Sequence, residues 1–405
     1  MAVSIGSGGA MRGRVVALAA ALVLSGTAGV ASAKQADREP VRFATFNASL
    51  NRAAEGELLA DLSTPDDEQA RAVAEVIQRS RPDVLLVNEF DYVAGGAAAD
   101  AFRRNYLEVP QNGAKPIHYP YAYTAPVNTG VQTGHDLNRD GTVDGPDDAH
   151  GFGAFPGQYG MLVLSRHPID TERVRTFRTF LWKDMPGALL PDDVDTPEAG
   201  DWYPPEVLET LRLSSKSHWD VPVRVGRRTV HVLAAHPTPP SFDGPEDRNG
   251  TRNHDEIRFW ADYVTPGRGG YVYDDEGRRG GLAPRERFVI VGDYNADPLD
   301  GDSTAGAVNR LLDAPRVRDT RPASAGGAMA ARVQGGANDG HRGSPWFDTA
   351  DFGDEQPGNL RVDYVLPSRG MRVVRDGVFW PVPGTGLDRL NAASDHHLVW
   401  VDARP

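Results

Sequence analysis

The sequence predicts a layered α/β fold, and three observations carry that expectation. Phe288–Val291 is an unbroken apolar run that suits a strand buried on both faces. Residues 41–89 read as strand, capped amphipathic helix, strand. The carboxylates, amides and histidines fit for chemistry fall at the ends of the strands so read, where layered α/β enzymes build their sites.

The amino terminus stands apart from this pattern. Arg12 and Arg14, the apolar run Val15–Leu24 and the small-residue ending Ala31-Ser32-Ala33 form the pattern of a cleaved secretory signal, so residues 1–33 are expected to be removed and Met11 is an alternative start. The apolar run is too short to span a bilayer, and no later stretch is long and apolar enough to do so. An exported, monomeric protein without a membrane span is expected. The chain has no cysteine, so no disulfide framework supports it outside the cell. Losing two arginines and no acid with the leader moves the formal charge from −13 to −15. Such a surface repels polyanions, so nucleic acid is not the favoured substrate.

Taken in order, Val41–Asn47 alternates apolar and polar positions and ends in an amide, as a strand leading to a site or simply to a turn would. Thr64 as N-cap and Pro65 as first helical residue open a helix to Arg79. Asp83–Val87 is a second strand, followed by Asn88-Glu89. A helix over Ala94–Leu107 comes next. Asp136–Asp147 then places oxygen side chains at its first, third, fifth, ninth and twelfth positions with Gly141 sixth, the spacing of an EF-hand-type calcium loop. Pro146 inside it, Asp147 in place of glutamate and flanks without helical pattern depart from that motif. One structural Ca²⁺ is expected there, held by Asp136, Asn138, Asp140, Thr142, Asp144 and Asp147, and an acidic surface turn is the alternative.

Phe155–Ile169 contains a strand after Tyr159-Gly160. Leu213–Val225 and Arg228–Ala235 form a hairpin about Gly226, whose second arm ends in His236, a candidate acid or phosphate ligand or else a structural histidine. A helix with a polar first turn starts at Arg252-Asn253. In FVIVGDYNADP, Gly292 lets the chain turn, and Asp293 and Asn295, two apart, face one side; G-D-x-N is also ordinary turn chemistry. Thr304–Leu312 is a short helix, Arg361–Leu366 a strand bearing Asp363, and Ala393–Val401 a closing strand bearing Asp395 and His396.

The pieces VGDYNADP, RVDYVLPS and SDHHLV, with TFN, LVNEFD and YGMLVLSRHPI in support, resemble the endonuclease/exonuclease/phosphatase superfamily over residues 41–403. That resemblance implies a four-layer α/β sandwich, two mixed sheets packed face to face with helices outside. It makes residues 110–157, 182–205, 240–285 and 322–358 insertions on one catalytic domain. It implies a Mg²⁺ (or Mn²⁺) ion on Glu89 with Asn47 and Asp395, His396 oriented by Asp363, a water positioned by Asp293 and Asn295, and His236, Tyr159 and Asn253 on the phosphate side. Two departures touch the substrate: Asn88 replaces the family's usual glutamine before the glutamate, and His236 runs into Pro237-Thr238-Pro239-Pro240. The expected activity is metal-dependent hydrolysis of a phosphate ester, with a small or non-nucleic ester ahead of DNA. An extracellular nuclease and a silent binding module are the other readings.

Overall fold

The computed structural model describes residues 39–405; the expected leader, residues 1–33, lies outside them. The strands are β1 (Val41–Asn47), β2 (Val84–Asn88), β3 (Tyr121–Tyr123), β4 (Met161–Ser165), β5 (Arg175–Thr176), β6 (His218–Val225), β7 (Arg228–Ala235), β8 (Arg287–Asp293), β9 (Ala350–Asp351), β10 (Asn359–Leu360), β11 (Asp363–Pro367), β12 (Arg372–Val378) and β13 (Val399–Arg404). Six form one sheet in the order β12-β13-β1-β2-β4-β3, and five form another in the order β11-β8-β7-β6-β5. Each is mixed, with β1 parallel to β2 and β7 parallel to β8 inside otherwise antiparallel ladders.

The period-two alternation of the strands sorts their side chains into three apolar layers. Phe43 in β1, Leu86 in β2, Val232 in β7 and Val289 and Val291 in β8 meet between the sheets. Ala44, Phe46, Leu85 and Val87 face outward and bury Val73, Ala74 and Ile77 of the helix Glu68–Ser80. Leu233, Phe288 and Ile290 face the other way and bury Ile257, Phe259 and Trp260 of the helix Arg248–Val264. Helix, sheet, sheet, helix is the four-layer order the resemblance implied. No helix among the described residues is long and apolar enough to cross a membrane.

Several boundaries differ from the sequence reading. The helix before β2 starts at Glu68, because the Asp67 carboxylate caps it by accepting the Ala70 N–H at 2.7 Å; Thr64 lies outside, its carbonyl taken by the Tyr106 hydroxyl. The hairpin's first arm starts at His218, and the helix expected from Arg252 starts at Arg248. The closing strand begins at Val399. Residues 394–396 turn across the end of β1 instead, the Ser394 hydroxyl donating to the Asn47 carbonyl at 2.8 Å and accepting the His396 N–H at 3.1 Å. The glycine-rich 322–358 segment holds a helix, Ala325–Gln334, capped by Ser324, and β9, which pairs with β10 just beyond the segment.

Candidate active site

The directions of the strands decide where the chemistry collects. β1, β2, β7 and β8 end, and β4 and β11 begin, at one rim of the sandwich, and the 394–396 turn that precedes β13 joins them there. That rim opens into a cavity of about 1350 Å³ lined by Glu89, Tyr159, His236, Asp293, Asn295, Asp395 and His396. Glu89, Asn47, Tyr159, Asp395 and His396 come from the six-stranded sheet; His236, Asp293, Asn295 and Asp363 come from the five-stranded one. The site straddles the seam between the sheets.

Two hydrogen-bond systems close that seam. Asn47 Nδ2 donates to Glu89 Oε1 at 2.9 Å and to Asp293 Oδ2 at 3.1 Å, joining the sheets through one amide. His396 Nδ1 lies 2.9 Å from Asp363 Oδ2, which also accepts the Thr349 hydroxyl at 2.9 Å. Asp293 sits between the systems: His236 Nε2 is 3.4 Å and His396 Nε2 3.6 Å from its Oδ2, and its Oδ1 accepts the Asn295 N–H at 2.8 Å. Asn295 Nδ2 donates to the Pro237 carbonyl at 3.1 Å, tying the β8 loop to the His236 segment. Gly292 serves close approach, since a Cβ there would lie 2.0 Å from the Ala235 carbonyl oxygen.

Burial and charge set the protonation states. Burial opposes ionisation of Asp293, but His396, His236 and the Asn295 N–H outweigh it and hold that carboxyl below the usual carboxylate range. Burial also opposes a charged His396, yet Asp363 and Asp293 raise its pKa well above the ordinary imidazole value. Burial alone would push the Asp363 carboxyl up, but the proton shared by this pair belongs on His396, which faces two carboxylates where Asp363 faces one ring. The assembly is an imidazolium between two carboxylates. His236 is driven the other way, chiefly by burial and then by Lys216, and its Nδ1 is buried without a partner.

Backbone strain marks the same place. Glu89, Tyr159 and Asn295 hold φ of 56°, 55° and 50°, left-handed conformations that cost non-glycine residues on the order of 1–3 kcal/mol each and persist where the surroundings enforce them. The enforcing contacts are visible for two of them. Asn51 Nδ2 donates to Glu89 Oε2 at 2.8 Å, and the buried Asp91 accepts the Tyr159 N–H at 3.0 Å. Burial keeps the Tyr159 phenol protonated.

Some expected residues stand elsewhere. Asn253 is fully buried in its helix and donates to the Thr238 and Tyr294 carbonyls at 2.7 and 2.9 Å, so it braces the loops beneath the cavity and does not line it. In the 136–147 loop, Asp136 accepts the Asp140 and Gly141 N–H groups at 3.1 and 2.9 Å and Asp140 accepts that of Thr142 at 2.7 Å, turn geometry in which carboxylates serve the backbone. Among the described residues, Asp293, Asp363 and His396 form the one group of three or more such side chains whose ligand atoms all lie within 4.8 Å; Asp136, Asp140, Asp144 and Asp147 form none. Asn51, Thr349 and Lys216 escaped the sequence reading. A single amide, hydroxyl or ammonium in a polar loop carries no spacing signal.

A family model described as Endonuclease/Exonuclease/phosphatase family matches residues 44–396. The chain belongs to that family. Its members are hydrolases acting on phosphoester bonds. A search of curated proteins finds no match in sequence. Among solved structures, an endonuclease/exonuclease/phosphatase from Beutenbergia cavernae is similar at 19% identity and a TM-score of 0.48, covering 91% of this chain and 72% of that one. Sphingomyelinase C from Streptomyces griseocarneus is similar at 15% identity and a TM-score of 0.44, covering 90% and 99%. The human Nocturnin catalytic domain is similar at 12% identity and a TM-score of 0.44, covering 90% and 93%.

Proposed function

We propose that the chain is an exported, divalent-metal-dependent phosphoesterase that hydrolyses a small, non-nucleic phosphate ester by in-line attack of water. The observation that carries this reading is the convergence of Glu89, Asn47, His236, Asp293, Asn295 and the His396–Asp363 pair on one cavity from two sheets.

The donor chemistry fits a hard cation. Glu89 and Asp395 offer carboxylates at the cavity wall, Asn47 an amide beside them, and the chain has no thiol to favour a softer metal. A Mg²⁺ (or Mn²⁺) held by these residues would neutralise charge on the phosphate oxygens and lower the barrier to attack. The chain's own groups do the rest. Ionised Asp293, with Asn295 beside it, accepts a hydrogen from the attacking water and fixes its line of approach. His396, charged and locked by Asp363, stabilises Asp293 and the negative charge that gathers on the phosphoryl group. As the P–O bond to the alcohol breaks, the departing oxygen takes up the proton that the attacking water releases, with neutral His236 and the Tyr159 phenol on the same cavity wall to relay it.

A small substrate is favoured by the −15 charge of the processed chain and by a cavity wall that carries six carboxylates. Purified protein assayed with phosphomonoesters, small phosphodiesters, phospholipids and plasmid DNA tests it. Chelator-sensitive turnover of a small ester supports the reading. Plasmid nicking more efficient by orders of magnitude would make the protein an extracellular nuclease.

A further inference from the structure

Lys216 is 7% exposed, yet it lines the cavity. Among the described residues its ammonium has no hydrogen-bond or ion-pair partner. The two arginines on the cavity wall are committed: Arg248 is ion-paired with Glu246, and Arg252 donates to the Arg212 and Leu213 carbonyls at 2.8 Å. A buried charge without a partner costs stability, so a structural role should have supplied one.

The backbone around Lys216 is fixed on several sides. Glu256, fully buried, accepts the Ser215 N–H at 2.6 Å, the Ser215 hydroxyl at 3.0 Å and the Thr238 N–H at 2.7 Å, so one carboxylate sets both the Lys216 segment and the segment after His236. The Asn128 N–H donates to the Lys216 carbonyl at 2.8 Å. Gly151 packs so closely that a Cβ there would lie 1.8 Å from the Ser215 carbonyl oxygen. An ammonium carried on a backbone held this firmly, on the wall of the cavity that holds Glu89, His236 and Asp293, is a preorganised anion contact.

We propose that Lys216 is the phosphate-contacting cation of this site, its ammonium hydrogen-bonding the nonbridging oxygens of the substrate's phosphoryl group. This rests on the phosphoesterase reading for the identity of the anion, and on this chain's own geometry for the contact. A compact ammonium binds a tetrahedral phosphate as a point-charge donor.

The test titrates inorganic phosphate into the folded chain and into Lys216→Met and Lys216→Gln, following heat of binding and melting temperature. Phosphate binding at least tenfold weaker in both variants is expected, with melting temperatures in phosphate-free buffer equal to or above that of the unsubstituted protein. Turnover of the best ester should fall about a hundredfold or more. Unchanged phosphate affinity in the variants, no phosphate binding by the unsubstituted protein, or melting temperatures several degrees lower in both variants would each overturn the proposal, the last by revealing a structural lysine. An unsubstituted protein that binds phosphate through Lys216 but hydrolyses no ester would refute the phosphoesterase reading and leave the anion contact standing.

Discussion

His396 and His231 each bring Nδ1 to within hydrogen-bond distance of a buried aspartate, Asp363 at 2.9 Å and Asp220 at 2.6 Å, but the two pairs spend their remaining groups differently. Asp220 gives its second oxygen to the Tyr263 hydroxyl at 2.6 Å, and Arg175 donates to that tyrosine at 3.2 Å. Tyr263 lies inside the layer where the helix Arg248–Val264 packs on the five-stranded sheet, and His231 turns Nε2 toward Glu286 at 3.7 Å, away from the cavity. His396 instead turns Nε2 toward Asp293 at the cavity, and Asp363 Oδ1 is buried without a partner. A buried histidine–aspartate pair is therefore no mark of function in itself. His231 Nε2 is likewise buried without a hydrogen-bond partner, so what distinguishes the rim is that its unspent polar capacity borders a space that can hold a substrate.

The largest test of that distinction is kinetic. Glu89→Gln and His396→Ala should each lower kcat a hundredfold or more while leaving the melting curve nearly unchanged, and a chelator should abolish turnover until Mg²⁺ or Mn²⁺ returns. A purified variant that keeps more than about a tenth of normal turnover removes its residue from the mechanism.

The second pair should show the mirror image. His231→Ala strands Asp220 without its partner and should cost about 2 kcal/mol of stability, seen as a melting temperature lower by several degrees, with kcat within twofold of normal. Loss of turnover without loss of stability there would erase the contrast.

An acid whose side chain has no hydrogen-bond or ion-pair partner among the described residues sharpens the comparison through pH. Burial, with Asp297 and Asp300 beside it, pushes the Asp348 carboxyl up to about 8 from 3.8. Between those values the folded chain holds a proton that the unfolded chain has released, so this group's contribution to stability falls as pH rises through that window. Asp348→Asn should therefore be more stable than the unsubstituted protein at pH 8, by about 1–3 kcal/mol, and no more stable at pH 4. Denaturant melts at the two pH values decide it.

The smallest effect is expected from calcium. Asp136 and Asp140 already serve backbone N–H groups, so millimolar Ca²⁺ should move the melting temperature by a degree or less. A rise of several degrees that disappears in Asp136→Ala would establish the ion site that the spacing describes.

The strands and the layering were legible because they rest on local rules. Alternation in VRFATFN, the apolar run FVIV and the RTVHVLAA arm each fix which side chains face which layer, and six short motifs in family order pointed to the candidate residues that lie at their ends. The misjudged boundaries turn on contacts distant in sequence. Asp67 and Thr64 are equally plausible caps until Tyr106 takes the Thr64 carbonyl. Residues 394–396 read as strand until Ser394 meets the end of β1. Asn253 has the composition of a substrate contact and is spent on two carbonyls from other segments. Lys216 had no motif at all; what singles it out is that it has no partner among the described residues, a property only the folded chain possesses.

The apolar layer between the sheets has a consequence for how the protein should fail on warming. Glu89 and Asp293 belong to different sheets, and the distance between them is set by Phe43, Leu86, Val232, Val289 and Val291 packed in the gap. That layer acts as a spacer gauge for the catalytic groups. A change there that leaves the fold standing, such as Val291→Ala, lets the two halves settle against each other by a fraction of an ångström, enough to misalign a water held between them. Heat should act likewise, so that catalysis dwindles at temperatures where the helices and strands are still intact.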